Sequence, residues 1–140
     1  IVEQEGITIN EIFDKCGEEY FRKTECEVIK KAAEMKNVVI ATGGGVVLNE
    51  QNIENLRKTG VIFNLSPDFS VIRERLEEAR KTRPLLKRDS IENIKKRFDD
   101  RKPFYDNCDY KIKVIHGRTP RSYAMEILEI MESSQGAGKQ

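Results

Sequence analysis

Apolar positions along the chain switch between two periods, and the switches divide it into helices and strands. From residue 18 to residue 36, Tyr20, Phe21, Val28, Ile29, Ala32 and Ala33 recur at helical spacing, with Asn37 as the stop. Ahead of them, Thr8 and Glu11 have the hydroxyl-then-carboxylate spacing of a capping box, which predicts a short helix over residues 11–14 ending near Gly17. The opening Ile-Val-Glu-Gln-Glu reads as the tail of a helix stopped by Gly6. Val38-Val39-Ile40-Ala41 is a continuous, β-branched run, expected to be a strand buried on both faces, and Thr42-Gly43-Gly44-Gly45 is the loop after it. Residues 50–58 are predicted helical with Gly60 as their stop, and residues 61–65 form a second strand. Ser66-Pro67-Asp68 then opens a helix running to about Arg80. Residues 91–100 read as helix and residues 110–115 as a third strand. Thr119-Pro120 starts a last amphipathic helix with Tyr123, Ile127, Leu128 and Met131 on one side. Alternating strands and helices predict an α/β fold, a parallel sheet flanked by helices and joined by right-handed crossovers. No internal repeat or low-complexity tract breaks the pattern, and residues 133–140 read as a polar tail.

Size narrows this to one folding unit, because 140 residues are enough for one core and too few for two independent ones. Residues 1–132 therefore read as a single domain. A hydrophobic fraction of 38%, a charged fraction of 35% and a net charge of +1 describe a globular protein that is neither disordered by composition nor basic enough to take nucleic acid as its main partner. A small molecule is the default ligand. Cys16, Cys26 and Cys108 are an odd number without C-x-x-C spacing, and His116 is the only histidine. Neither a disulfide framework nor a zinc site is expected, and a reducing cytoplasm fits best. No apolar run approaches the roughly 20 residues that span a bilayer, and no charged-then-apolar leader opens the chain, so neither a membrane nor an exported protein is expected. The chain opens on Ile1, not methionine, which implies further residues upstream in the gene product.

The sharpest chemical feature is the triple glycine after the first strand. Glycine lets a backbone approach a ligand with no Cβ in the way, and ligands of open α/β sheets bind beyond the carboxyl ends of strands, so Gly43, Gly44 and Gly45 would line the crevice. A tight turn that binds nothing explains the same three residues. Arg22 stands on the helix before that strand, and Arg101 precedes Pro103, which is expected to end its helix. Each guanidinium suits a carboxylate held by two parallel hydrogen bonds, while each taken alone reads first as solvated surface charge. Arg83-Pro84-Leu85-Leu86, among Arg80, Lys81, Lys87 and Arg88, is a basic connection over about residues 81–90 of the kind a phosphoryl-transfer lid needs, or simply an exposed basic loop.

In this order and at these spacings, the segments Phe-Arg-x-x-Glu, Thr-Gly-Gly-Gly, Arg-Pro-Leu-Leu and Arg-x-Pro-x-Tyr resemble the shikimate kinase family from the first residues to about Met131. The resemblance implies a P-loop kinase-like three-layer architecture and ATP-dependent phosphorylation of shikimate to shikimate 3-phosphate, with Mg²⁺ as the accompanying ion. It implies substrate-binding helices within residues 1–36, with Arg22 and Arg101 on the shikimate carboxylate. Gly43, Gly44 and Gly45 would lie against the substrate, Gly44 and Gly45 donating backbone N–H groups, and Arg83 would bridge to the transferred phosphate. Arg118 and Pro120 match the family's adenine-flanking turn, and Arg80 would stack there. One departure stands beside the match: the family's first strand, its Walker-A loop and its catalytic acidic motif are absent from these residues. Gly136-Ala137-Gly138-Lys139-Gln140 has Ser133 in place of the first Walker-A glycine and Gln140 in place of the magnesium-binding hydroxyl. The alternatives are a related P-loop kinase of another small metabolite and a non-catalytic kinase-like binding domain.

Overall fold

The computed structural model describes residues 1–82 and 90–136, with side chains described for residues 1–79 and 90–134. Two compact units result, Ile1–Ile62 and Phe63–Gln140.

In the first unit, α1 (Val2–Glu5) ends at Gly6 in the left-handed region (φ 69°), and α2 covers Ile9–Ala32. The capping box forms: Thr8 Oγ1 accepts from the Glu11 N–H at 3.3 Å, and Glu11 Oε2 accepts from the Thr8 N–H at 2.9 Å. That backbone hydrogen bond is the main reason the Glu11 carboxyl sits below its ordinary pKa. Gly17 interrupts the helix with φ 81° and ψ 173°, the break expected near that residue. The longer helical stretch stops at Ala32, four residues short of the expected end, and Asn37 takes a positive φ of 57°. A 3-10 turn (Val46–Leu48) leads into α3 (Glu50–Arg57), which packs on α2. The buried side chains Ile12, Phe21, Ile29, Ala33, Val46 and Ile53 form the apolar interior of this unit. Their burial supplies most of its stability, at about 1.5–3 kcal/mol for each large side chain.

The expected strand over residues 38–41 is not formed. The segment has no ladder partner among the described residues, and it is exposed, with Val39 99% accessible. β-branched residues supply propensity, while a strand also needs a neighbour to take its N–H and C=O groups.

The second unit holds the sheet. Strands β1 (Phe63–Pro67) and β2 (Tyr110–Val114) pair in parallel, with Phe63 opposite Tyr110, Leu65 opposite Ile112 and Pro67 opposite Val114. β1 begins two residues later than expected. Helices α4 (Phe69–Thr82) and α5 (Ile91–Tyr105) make the crossover that parallel pairing requires, and α6 (Pro120–Gly136) follows β2. Ile112 and Val114, two apart on one face of β2, pack with Val71 of α4 and Tyr123 of α6, and Phe63, Ile127 and Ile130 close the cluster. The Tyr123 hydroxyl accepts from the Ile115 N–H and donates to the Ile115 carbonyl, which ties the end of β2 to α6.

Pro103 does not end its helix. It lies inside α5, which continues to Tyr105 and is closed by the Asp106 N–H on the Lys102 carbonyl at 2.9 Å. A proline this near a C-terminus forfeits one hydrogen bond, and the turn after it can still close. Helix α6 extends through Gly136, four residues into the stretch read as tail. No helix among the described residues is long and apolar enough to cross a membrane.

Candidate functional site

Within the first unit the structure brings Arg22 and the glycine loop together. Arg22 sits in the second part of α2, after the Gly17 break, with its guanidinium 5.2 Å from the centre of the Phe21 ring. Phe21 is itself buried and packs on Phe13 with ring centroids 4.8 Å apart, so the root of the arginine is fixed. Two carboxylates hold its head. Glu25 Oε2 accepts from Nη1 at 2.8 Å, and Glu18 Oε1 accepts from Nη2 at 3.2 Å and from Nε at 3.3 Å. The Glu25 hydrogen bond, reinforced by Glu18 against the opposing effect of burial, pushes the Arg22 pKa further up and keeps the group cationic at any working pH.

These hydrogen bonds occupy three of the five guanidinium N–H donors and leave one on each Nη. The two unused donors, one on each Nη, can still hydrogen-bond to an anion. Gly45 lies directly against it: a Cβ on Gly45 would come 2.3 Å from Arg22 Nη1. Gly43 and Gly44 continue the loop, with the Val46 N–H donating to the Gly43 carbonyl at 3.2 Å and the Leu48 N–H to the Gly45 carbonyl at 3.1 Å. The arrangement is a cation with residual donors beside an exposed backbone loop, chemistry suited to a small anion carrying hydroxyl groups.

Two residues here escaped the sequence reading. Glu25 closes the Phe-Arg-x-x-Glu segment, whose pattern assigns it no task, and it is the buried partner of Arg22. Asn52, wholly buried beneath the loop, gave no signal, because an asparagine in the first turn of a helix looks like ordinary cap chemistry.

Arg101, Arg118 and Pro120 belong to the second unit. Arg101 is half-buried on α5, whose carboxyl end is tied to β1 by Asn64 Nδ2 donating to the Tyr105 carbonyl at 2.8 Å. Next to that tie a cleft of about 390 Å³ opens by the carboxyl end of β1, lined among others by Ser66, Asp68, Phe69, Phe98 and Lys102. Pro120 starts α6 as expected. Arg118, two residues ahead, is locked: Nε donates to Ser122 Oγ at 3.1 Å, Nη1 pairs with Glu126 at 2.6 Å, and the guanidinium lies 4.5 Å from the Tyr123 ring centre. Arg83 lies outside the described residues, as does most of the expected lid; Arg80 is in the last turn of α4, with its side chain outside the described set. No three His, Cys, Asp or Glu side chains gather into a metal-binding group among the described residues.

Comparison with known proteins agrees across sequence and structure. The family model described as Shikimate kinase matches residues 1–132. A shikimate kinase of Caldicellulosiruptor bescii is 43% identical over 131 residues, covering 93% of this chain and 75% of the relative. One of Aquifex aeolicus is 38% identical over 138 residues, covering 99% and 80%. Among solved structures, a shikimate kinase of Aquifex aeolicus superposes with TM-score 0.77 at 34% identity, over 96% of this chain and 76% of that one. A shikimate kinase from Acinetobacter baumannii in complex with shikimate gives TM-score 0.81 at 30% identity, over 95% and 74%.

Proposed function

Since the chain belongs to the shikimate kinase family, we propose that it supplies the shikimate-binding part of an ATP-dependent kinase that makes shikimate 3-phosphate. The observation that carries this reading is Arg22, fixed by Glu25 and Glu18 with one N–H left on each Nη and pressed against Gly45. Arg22 and Arg101 take the substrate carboxylate, and Gly43, Gly44 and Gly45 lie along the ring, with Gly44 and Gly45 offering N–H groups. Arg83 meets the transferred phosphoryl group, and Arg80, Arg118 and Pro120 flank the nucleotide.

Phosphoryl transfer asks the protein mainly to position the acceptor hydroxyl in line with the γ-phosphate and to neutralise charge on the equatorial oxygens. Arg22 and the glycine loop do the first, and a cationic lid at residues 81–90 does the second while excluding water. Mg²⁺ enters with ATP as substrate; the described carboxylates form no cage for it. The setting that fits is the cytoplasm, with shikimate and ATP as partners and no role for nucleic acid or membrane.

In a kinase carrying these residues, Arg22→Lys or Arg101→Lys keeps the charge but loses the fork. Each should weaken shikimate binding by about 1.5–3 kcal/mol, roughly ten- to a hundredfold, with ATP affinity little changed. Arg83→Lys should instead lower kcat more than it raises KM, because its contact strengthens in the transition state. Calorimetry and steady-state kinetics check both. If Arg22→Lys and Arg101→Lys bind shikimate like the parent, the carboxylate assignment falls, and a kinase of another metabolite or a non-catalytic binding domain moves ahead.

A further inference from the structure

Asn52 is 0% exposed, on the first turn of α3, and its side chain is only half satisfied. Nδ2 donates to the Val46 carbonyl at 3.1 Å, while Oδ1 is buried with no hydrogen-bond partner. A buried amide with an unpaired oxygen is costly, and an apolar side chain of the same γ-branched shape, such as leucine, carries no such polar atom. Filling the core is therefore a poor reason for asparagine at this position. Its one hydrogen bond, by contrast, is well placed. Val46 follows Gly45 directly, is itself 2% exposed, and its own N–H closes back on the Gly43 carbonyl. The Val46 carbonyl also accepts from the Asn49 N–H at 3.4 Å, a long contact, so the shorter bond from Asn52 is the better anchor. Helix α3, which carries Asn52, packs on α2, which carries Arg22. Asn52 thus joins the glycine loop to the same helical pair that sets Arg22, in a place where Gly45 and Arg22 are in direct contact.

We propose that Asn52 is a positioning residue for the substrate site, its buried amide pinning the Val46 carbonyl so that Gly43, Gly44 and Gly45 keep their place against Arg22. The inference rests on reading the glycine loop as the shikimate-binding segment. Asn52 touches no substrate and acts through the loop.

Asn52→Leu keeps the γ-branched shape, removes the donor and removes the orphaned oxygen. Hydrogen exchange on the full chain should then show faster exchange confined to peptides within residues 43–49, with the rest of the chain and the thermal midpoint close to the parent. In a kinase carrying these residues, KM for shikimate should rise about three- to tenfold, the worth of one neutral hydrogen bond, while KM for ATP stays put. Asn52→Ala receives the same measurements if the leucine variant does not fold. Unchanged exchange and unchanged KM for shikimate overturn the proposal. So does a rise in exchange throughout the chain with both KM values moving together, or failure of both variants to fold, since either is what a purely structural residue gives. Arg22→Lys separates the two levels: if it raises KM for shikimate while Asn52→Leu is silent, only the role of Asn52 fails. If Arg22→Lys is itself silent, the substrate reading fails first.

Discussion

Gly45 has an ordinary backbone, with φ −86° and ψ −15°, so its lack of a side chain serves space and not conformation. The space belongs to Arg22, whose Nη1, Cζ and Nη2 would lie 2.3, 2.8 and 2.9 Å from an added Cβ. Those atoms end a flexible side chain and can move aside at small cost to the fold. They cannot do so and keep both carboxylate partners and their place at the loop. Gly45→Ala should accordingly fold with nearly the parent's thermal midpoint while shikimate affinity drops by about the ten- to hundredfold of an arginine lost from the fork. A Cβ at Gly43 meets no atom of the described residues within 4 Å beyond its own chain neighbours, so Gly43→Ala tests whether crowding inside the chain is the cause. Calorimetry with shikimate decides the matter, and a Gly45→Ala protein that binds like the parent would show that contact with Arg22 is unimportant. At this scale the sequence was readable where a residue type is unusual: three glycines in a row, an arginine in a recurring motif. It was silent on Asn52, whose meaning lies in burial and in a single acceptor six residues away.

Local signals set the elements that depend on their own residues and failed for those that depend on others. Gly6, Gly17 and the Thr8–Glu11 box each act within a few residues, and all three appear as read. Residues 38–41 needed a neighbouring strand and have none among the described residues, while the effect of Pro103 depends on its nearness to the helix end, which residue type alone does not carry. The capping box offers an element-scale test. Thr8→Ala removes the hydroxyl that accepts from the Glu11 N–H and should cost about 0.5–2 kcal/mol in urea unfolding. Glu11 adds a pH signature. Its folded pKa is depressed, chiefly by the hydrogen bond from the Thr8 N–H, so its contribution is present above the unfolded carboxylate value of about 4.3 and is lost as pH falls through the folded value. Glu11→Gln should flatten that acid limb while leaving the remainder of the pH profile alone. An unaltered limb would mean that the box does not couple to folding.

For the whole molecule, the alternation of helix and strand was enough to give the α/β class, because a parallel pair such as β1 and β2 cannot be joined without a long crossover. What alternation cannot report is the inventory of catalytic parts. Phosphoryl transfer depends on a backbone cradle and a lysine for the phosphates, and on a hydroxyl for the metal that travels with them. Among these 140 residues the only approach to such a loop is Gly-Ala-Gly-Lys-Gln at positions 136–140, which lacks the first glycine and the hydroxyl. Its surroundings count against it as well. A Walker A follows a strand, whereas the residues leading to Gly136 are the helix α6. On the proposed assignment of the site, with no Walker-A pattern among these residues, the purified 140-residue chain should not release ADP from ATP, with or without shikimate, in a coupled assay. The same chain should still show the local hydrogen-exchange pattern of an ordered glycine loop, because Arg22, Asn52 and Val46 hold that loop without help from a nucleotide. Robust shikimate-dependent ADP release would mean that a phosphate cradle exists among these residues in a form the Walker-A pattern does not describe, and the assignment of the site would have to be redrawn.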